Sequence, residues 1–184
     1  MAEGATEKQR VADDDEPLKI SVPLERDLFL RRLLRELTGS LEEVVGLEEA
    51  SGFISLVDQH IAEWLEPAYR EAYRVEVMDA GQVARALVDL KARIQGDFYI
   101  EECTPERIVL GNRACPFGEQ VLGRTSHCLM TSTVFGTITA ENTGYAKVSL
   151  EDTIARGSSG CRVVTFLQET PDAGAAPGIE YFSD

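Results

Sequence analysis

The sequence predicts an α+β fold: N-terminal helices followed by an antiparallel sheet with a helix packed on one face. Three observations predict it. Apolar residues in the first half recur at three- and four-residue spacing, the period of a helix. From Asp97 the period shortens to two over Phe98–Glu102 and Arg107–Leu110, the alternation of half-buried strands. Beyond them, glycines and short polar residues mark off one more helix and two last strands.

The first helix, Leu24–Val45, carries Leu30, Leu34, Leu37, Leu41 and Val44 on one stripe. The stripe is apolar enough to serve as the seam of a homodimer or to pack inside its own domain. Gly46 and Gly52 bracket a break, and a second stripe follows at Phe53, Val57, Ile61, Trp64/Leu65 and Ala68. Pro67 inside that run either kinks the helix or begins a new turn. His60, beside the stripe, reads as structural. A third helix runs from Ala80 to Ile94, with Asp79 and Gln82 spaced as a capping box and Gly96 placed to end it.

Thr104-Pro105-Glu106 turns the first strand into the second, and Cys115-Pro116-Phe117-Gly118 falls in a loop. Thr125 or Ser126 caps a helix that runs to Asn142, where Gly144 is a left-handed stop. Tyr145–Leu150 and Cys161–Leu167 are the last strands, with a turn over Ile154–Ser159. The chain therefore divides into a disordered acidic tail (1–20), a helical dimerisation and signal-transmitting part (21–96), a cysteine-containing α+β part (97–168) and a flexible C-terminal tail (169–184).

With 184 residues, 43% of them apolar, there is material for one compact domain. The formal charge of −14, without any cluster of Lys or Arg, excludes phosphate-driven nucleic-acid binding and an anionic membrane surface. No apolar run is long enough to span a bilayer, and the acidic start has none of the apolar stretch of an export signal. The expected location is the cytoplasm, with the cysteines as reduced thiols. No P-loop, G-x-G-x-x-G or G-x-S-x-G occurs, so nothing points to an enzyme of those classes.

Three of the four cysteines open local elements: Cys115 a loop, Cys128 a helix and Cys161 a strand. Thiols brought together by a fold suit a soft metal or an iron–sulfur cluster. In the first turn of its helix Cys128 is expected to have a lowered pKa. The plainer alternative is that each cysteine is a small buried hydrophobe, and Cys103, at a strand end, fits that description best. His127 is either a fourth ligand, the base of a Cys128/His127 pair, or a plain capping or surface side chain. The hydroxyls of Thr131, Ser132, Thr133, Thr137 and Thr139 either bond back to their own helix or line a polar pocket. On that helix Thr131, Ser132, Phe135 and Asn142 are the ligand-pocket candidates.

The runs Cys-Pro-Phe-Gly, Cys-Leu-Met-Thr-Ser-Thr-Val-Phe-Gly, Ala-Glu-Asn-Thr-Gly-Tyr-Ala-Lys-Val and Gly-Cys-Arg-Val-Val, within Asn112–Leu167, resemble the methanogen output domain type 1 family. With a weaker likeness in the helices, the resemblance spans Leu47–Leu167. It implies a bacterial or archaeal signalling module, found alone or attached to sensor and regulator domains. More distantly, Cys115, Cys128 and Cys161 are similar in placement to cluster ligands in the effector domain of winged-helix repressors of iron–sulfur assembly. Two departures are plain: this chain has no further cysteine between Cys128 and Cys161, and no winged helix. A fourth ligand would come from Cys103, His127, a carboxylate or an exogenous group.

The resulting expectation is a cytoplasmic sensory or regulatory module, homodimeric, without direct nucleic-acid or membrane contact. An iron–sulfur cluster, or alternatively zinc, on the three cysteines would report redox state or a gas to a protein partner. The alternatives are a zinc-stapled or metal-free domain that binds a small molecule, and a small cysteine-dependent hydrolase.

Overall fold

In the computed structural model, residues 25–183 are described, so the acidic tail of residues 1–20 lies outside them. The chain forms two units, one up to Leu30 and one from Arg31 onward. Of the first, the described part is the opening turn of helix α1 (Arg26–Val45).

Gly46, at φ +85°, ends α1 and admits α2 (Leu47–Tyr73). The break expected at Gly52 does not occur, and α2 also runs through Pro67. Helix α3 (Ala80–Arg93) starts on the capping box read from the sequence. Gln82 N donates to Asp79 Oδ1 at 2.7 Å, and Asp79 N donates to Gln82 Oε1 at 2.9 Å. The left-handed residue after α3 is Gln95, at φ 65°, rather than Gly96. Gly96 is needed for space instead, since a Cβ there would stand 3.0 Å from Pro116 Cγ.

Strands β1 (Phe98–Cys103) and β2 (Arg107–Asn112) form the expected hairpin. After a short 3-10 turn at Gly118–Val121 come α4 (Ser126–Thr143), β3 (Tyr145–Asp152) and β4 (Cys161–Phe166). The segment read as a flexible tail, 169–184, instead carries a short helix α5 (Pro171–Ala175) and strand β5 (Ile179–Phe182). The latter pairs with β3 and closes one edge of an antiparallel sheet of order β1-β2-β4-β3-β5. The ring of Tyr181 lies on Gly136 of α4, where any side chain would collide with it, and that contact holds the edge strand down.

Helices α3 and α4 cover one face of the sheet, and α2 packs on α4 as an outer layer. The core between them is built from Val83, Leu87, Phe98, Ile108, Leu110, Phe135, Ile138, Val148 and Val163. A smaller cluster of Val109, Val164, Phe166 and Ala173 sits on the opposite face, beneath α5.

Both outer helices leave their more apolar stripe outward, one of the two readings open for α1 and an outcome that the stripe of α2 did not foretell. Helix α2 buries Ala50, Ile54, Asp58, Ala62 and Glu66, a strict four-residue repeat, and leaves Phe53, Val57, Ile61 and Trp64 exposed, Trp64 to 71%. Small side chains on the inner stripe allow α2 to approach α4 closely. Helix α1 is held by polar contacts at matching intervals. Arg31 donates to Gln95 Oε1 at 2.7 Å, Arg35 to the carbonyls of Gln120 and Leu122, and Arg124 pairs with Glu42 at 3.0 Å. The Arg124 guanidinium lies directly over Gly39, where a side chain would meet it. The leucine stripe of α1 is therefore left outward, with Leu34, Leu37 and Val44 exposed.

Candidate functional site: a cavity lined by three thiols

Cys161 opens β4 opposite Asn112, the last residue of β2. The Asn112 side chain turns the chain after it, its Oδ1 accepting from Ala114 N at 3.1 Å, and so aims Cys115 back over the sheet. The connection from Cys115 to Thr125 then returns to start α4 with Cys128 in its first turn. Cys115, Cys128 and Cys161 consequently line one cavity, with Phe98, Asn112, Phe117, His127, Thr131, Leu150 and Val163 around them. Its volume is about 30 Å³, room for roughly one water molecule. Cys103 is exposed at the far end of β1, with Asp79 and Arg85 as its charged neighbours, and takes no part in the cavity.

Burial keeps the thiols of Cys128 and Cys115 in the protonated form. Burial pushes Cys128 up to about 11, reinforced by the neighbouring Cys161 and Cys115, and burial raises Cys115 as well. The lowered pKa expected for Cys128 is thus overturned, because loss of water outweighs the helix terminus. Nor does the N-cap strengthen that terminus: Thr125 is helical in backbone and makes no side-chain capping bond. The Cys161 sulfur accepts from Ile154 N at 3.4 Å and from Asn112 Nδ2 at 3.6 Å.

Among the described residues, no group of three His, Cys, Asp or Glu side chains stands close enough to hold a metal ion. A cluster requires deprotonated sulfurs and space for several iron and sulfide atoms. At about 30 Å³ the cavity between the thiols is smaller than a cluster would need.

Of the ligand-pocket candidates, Thr131 reaches the cavity and the other three do not line it. Ser132 Oγ lies 3.0 Å from the Tyr181 hydroxyl. Phe135 is fully buried, edge-on to Phe98 with ring centroids 5.6 Å apart. Asn142 is a joint between elements: it accepts from Met78 N and donates to Glu66 Oε1 and to the Ile138 carbonyl, each at 2.8 Å.

Two residues that matter carried a sequence signal that apolar counting passes over. Lys91 continues the buried stripe of Val83 and Leu87, and Asp58 that of Ile54 and Ala62. Lys91 is 3% exposed; its Nζ donates to Thr131 Oγ1 at 2.9 Å and lies over the rings of Phe135 (5.2 Å) and Phe98 (5.7 Å). Burial lowers its pKa to about 8. Asp58 is completely buried, and neither carboxylate oxygen has a hydrogen-bond partner. Desolvation raises its pKa to about 7 against the attraction of Lys91.

His127 completes the wall. It is 2% exposed, stacks on Phe117 with centroids 4.7 Å apart, and places Nε2 3.0 Å from Thr38 Oγ1 of α1. Its Nδ1 has no partner. Burial lowers its pKa and keeps the ring neutral. A wider, open groove of about 660 Å³ runs between α2, α4 and β5, but Glu63, Glu66 and Glu141 line it and keep it wet.

Asp58 yields a pH prediction. The folded chain keeps the Asp58 proton up to about pH 7, while the unfolded chain releases it near 3.8. Stability should therefore fall as pH rises between those values, by roughly 2–4 kcal/mol in all. Lys91 acts in the opposite sense between about pH 8 and 10.5, where stability should rise. Denaturant titrations from pH 4 to pH 8 should show the fall in the wild type and a nearly flat profile in Asp58→Asn. An equal slope in both proteins would refute the assignment.

The model of the methanogen output domain 1 family matches residues 33–166. A search of curated proteins finds no match. Among solved structures, the chain is similar to the phenol-responsive sensory domain of the transcription activator PoxR, solved with phenol. That likeness has 14% identity and a TM-score of 0.59, over 95% of this chain and 96% of the other, and it supports the α+β fold. The more distant likeness to iron–sulfur assembly repressors forms no part of the family match. The match covers most of the chain, from the middle of α1 to the end of β4, and the chain belongs to the methanogen output domain 1 family.

Proposed function

We propose that this chain is a sensory module in which a small, largely apolar molecule enters the thiol-lined cavity and alters the hold of the surrounding segment on α1. One observation carries the reading. The segment from Cys115 to Cys128 both closes the cavity and supplies the contacts that hold α1, at Gln120, Leu122, Arg124 and His127. The fold likeness to a phenol-responsive domain supports an aromatic ligand.

Size gives the mechanism. A dry cavity that accepts benzene has a volume of roughly 150 Å³, several times the 30 Å³ here. A ring can enter only if the wall yields. Strands β2 and β4 are sheet-locked, whereas Pro116–Leu122 is a short connection, so this segment is the part that moves. Arg35 is bonded to the carbonyls of Gln120 and Leu122, so α1 has to move with them or release them. Ligand binding is thereby converted into a displacement of a helix whose apolar stripe faces outward.

That stripe and the outer face of α2 suit a second copy of the chain, and signalling proceeds through the homodimer to a protein partner. Among the described residues no helix is long and apolar enough to cross a membrane. A second reading, zinc on Cys115, Cys128 and Cys161, has their convergence on one cavity in its favour. It requires the three thiols to lose their protons and close on the ion.

Two measurements test these readings. Calorimetric titration with phenol should show saturable 1:1 binding, and Ala155→Leu, which fills the cavity from its wall, should weaken it by about tenfold or more. Phenol affinity that survives the filling, or no binding to the wild type, would overturn the ligand reading. Stoichiometric zinc that disappears in Cys115→Ser would favour the metal. Sedimentation velocity should give a dimer for the wild type and a folded monomer for the Phe53→Glu, Trp64→Glu double variant. A wild type that sediments as a monomer at tens of micromolar would rule out the homodimer.

A further inference from the structure

The polar atoms around the cavity define the chemistry of what it can hold. Thr38 Oγ1 lies 3.0 Å from the Leu34 carbonyl and 3.1 Å from that of Arg35. Carbonyls only accept, so the single hydroxyl proton of Thr38 is committed to the α1 backbone. The 3.0 Å contact between Thr38 Oγ1 and His127 Nε2 is then a bond in which His127 donates. A neutral imidazole carries one N–H. With that proton on Nε2, Nδ1 is a bare acceptor, buried and without a partner, on a ring that lines the cavity. Stacking on Phe117 fixes the plane of the ring.

Thr131 has the opposite polarity. The Lys91 ammonium has only protons to give, so Thr131 Oγ1 accepts from it at 2.9 Å. The hydroxyl's own proton is left to be donated elsewhere, and Thr131 lines the same cavity. This acceptor and this donor thus border a space walled also by Phe98, Leu150, Val163 and sulfur, with the hydroxyl of Thr153 and the bonded amide of Asn112 at its edge.

We infer that the cavity recognises a neutral hydroxyl group, which donates to His127 Nδ1 and accepts from Thr131, on a small apolar molecule such as a phenol. This rests on the proposed reading of the cavity as a ligand site and adds the class of ligand. An ether can only accept, and a hydrocarbon does neither. An anion has no proton for Nδ1 and would set its charge against the nitrogen lone pair. The recognition also reaches α1, because the tautomer that accepts the ligand's proton is the one that donates to Thr38.

The test compares phenol, anisole and toluene, close in size, by calorimetry on the full chain at neutral pH. Phenol should bind at least tenfold more tightly than either of the others, since a site built around a hydroxyl leaves its polar atoms unpaired against the analogues. His127→Phe keeps a ring on Phe117 but has no nitrogen, and should bring the three affinities to within about threefold. Thr38→Val removes the bond to α1 but not Nδ1, and should keep the preference for phenol. Equal binding of the three by the wild type would overturn the hydroxyl inference and leave the cavity reading intact. So would a preference that survives His127→Phe. Failure of all three to bind would overturn both.

Discussion

The ammonium of Lys91 lies inside the protein with one hydroxyl, that of Thr131, and the faces of Phe98 and Phe135 in place of water. Those three partners come from β1 and α4, and the lysine from α3. A buried cation is tolerated only where its surroundings are held in place, so its position constrains all three elements at once. It fixes the orientation of Thr131 and with it one side of the cavity. Asp58 of α2 adds a second buried ionisable group to the same interior, and its raised pKa records the balance between desolvation and the pull of Lys91. Polar groups in this interior therefore set both the chemistry of the cavity and the order of the helices around it.

Outward from the cavity, the connection between β2 and α4 carries the contacts that matter for signalling. Its Pro116 packs on Gly96, its carbonyls receive Arg35, and its Arg124 covers Gly39. Helix α1 is thus held by polar side chains on one face. Arg31 bonds Gln95 at an exposed site and Arg35 bonds the Leu122 carbonyl at another, bonds that water can replace. The apolar face points away. A helix attached in this way can change its position at small cost, whereas α4, with apolar residues against sheet and α2 alike, cannot.

Much of the fold was legible in the sequence because its signals are local. The Asp79/Gln82 capping box, the Gly144 stop and the alternation of β1 and β2 depend on neighbours in the chain. The convergence of Cys115, Cys128 and Cys161 followed from their places at the edges of a loop, a helix and a strand. What was not legible depends on tertiary packing. The more apolar stripe of α2, Phe53/Val57/Ile61/Trp64, faces out, because close approach to α4 selects the smaller side chains of Ala50 and Ala62. Strand β5 lies behind a Pro- and Gly-rich stretch and forms only because the edge of β3 is open to it. The Cys128 pKa turns on burial, which spacing does not report. Asp58 and Lys91 were hidden by their own polarity, since a charged residue on an apolar stripe reads as an interruption.

The central claim is that filling the cavity loosens the contact between the Cys115–Cys128 segment and α1. Amide hydrogen exchange of the full chain, with and without saturating phenol, measures it directly. Protection is expected to change within residues 113–128 and along the part of α1 from Arg31 to Val45, with the strands of the sheet unaffected. Exchange that changes only in α2 and β5, around the open groove, would contradict it.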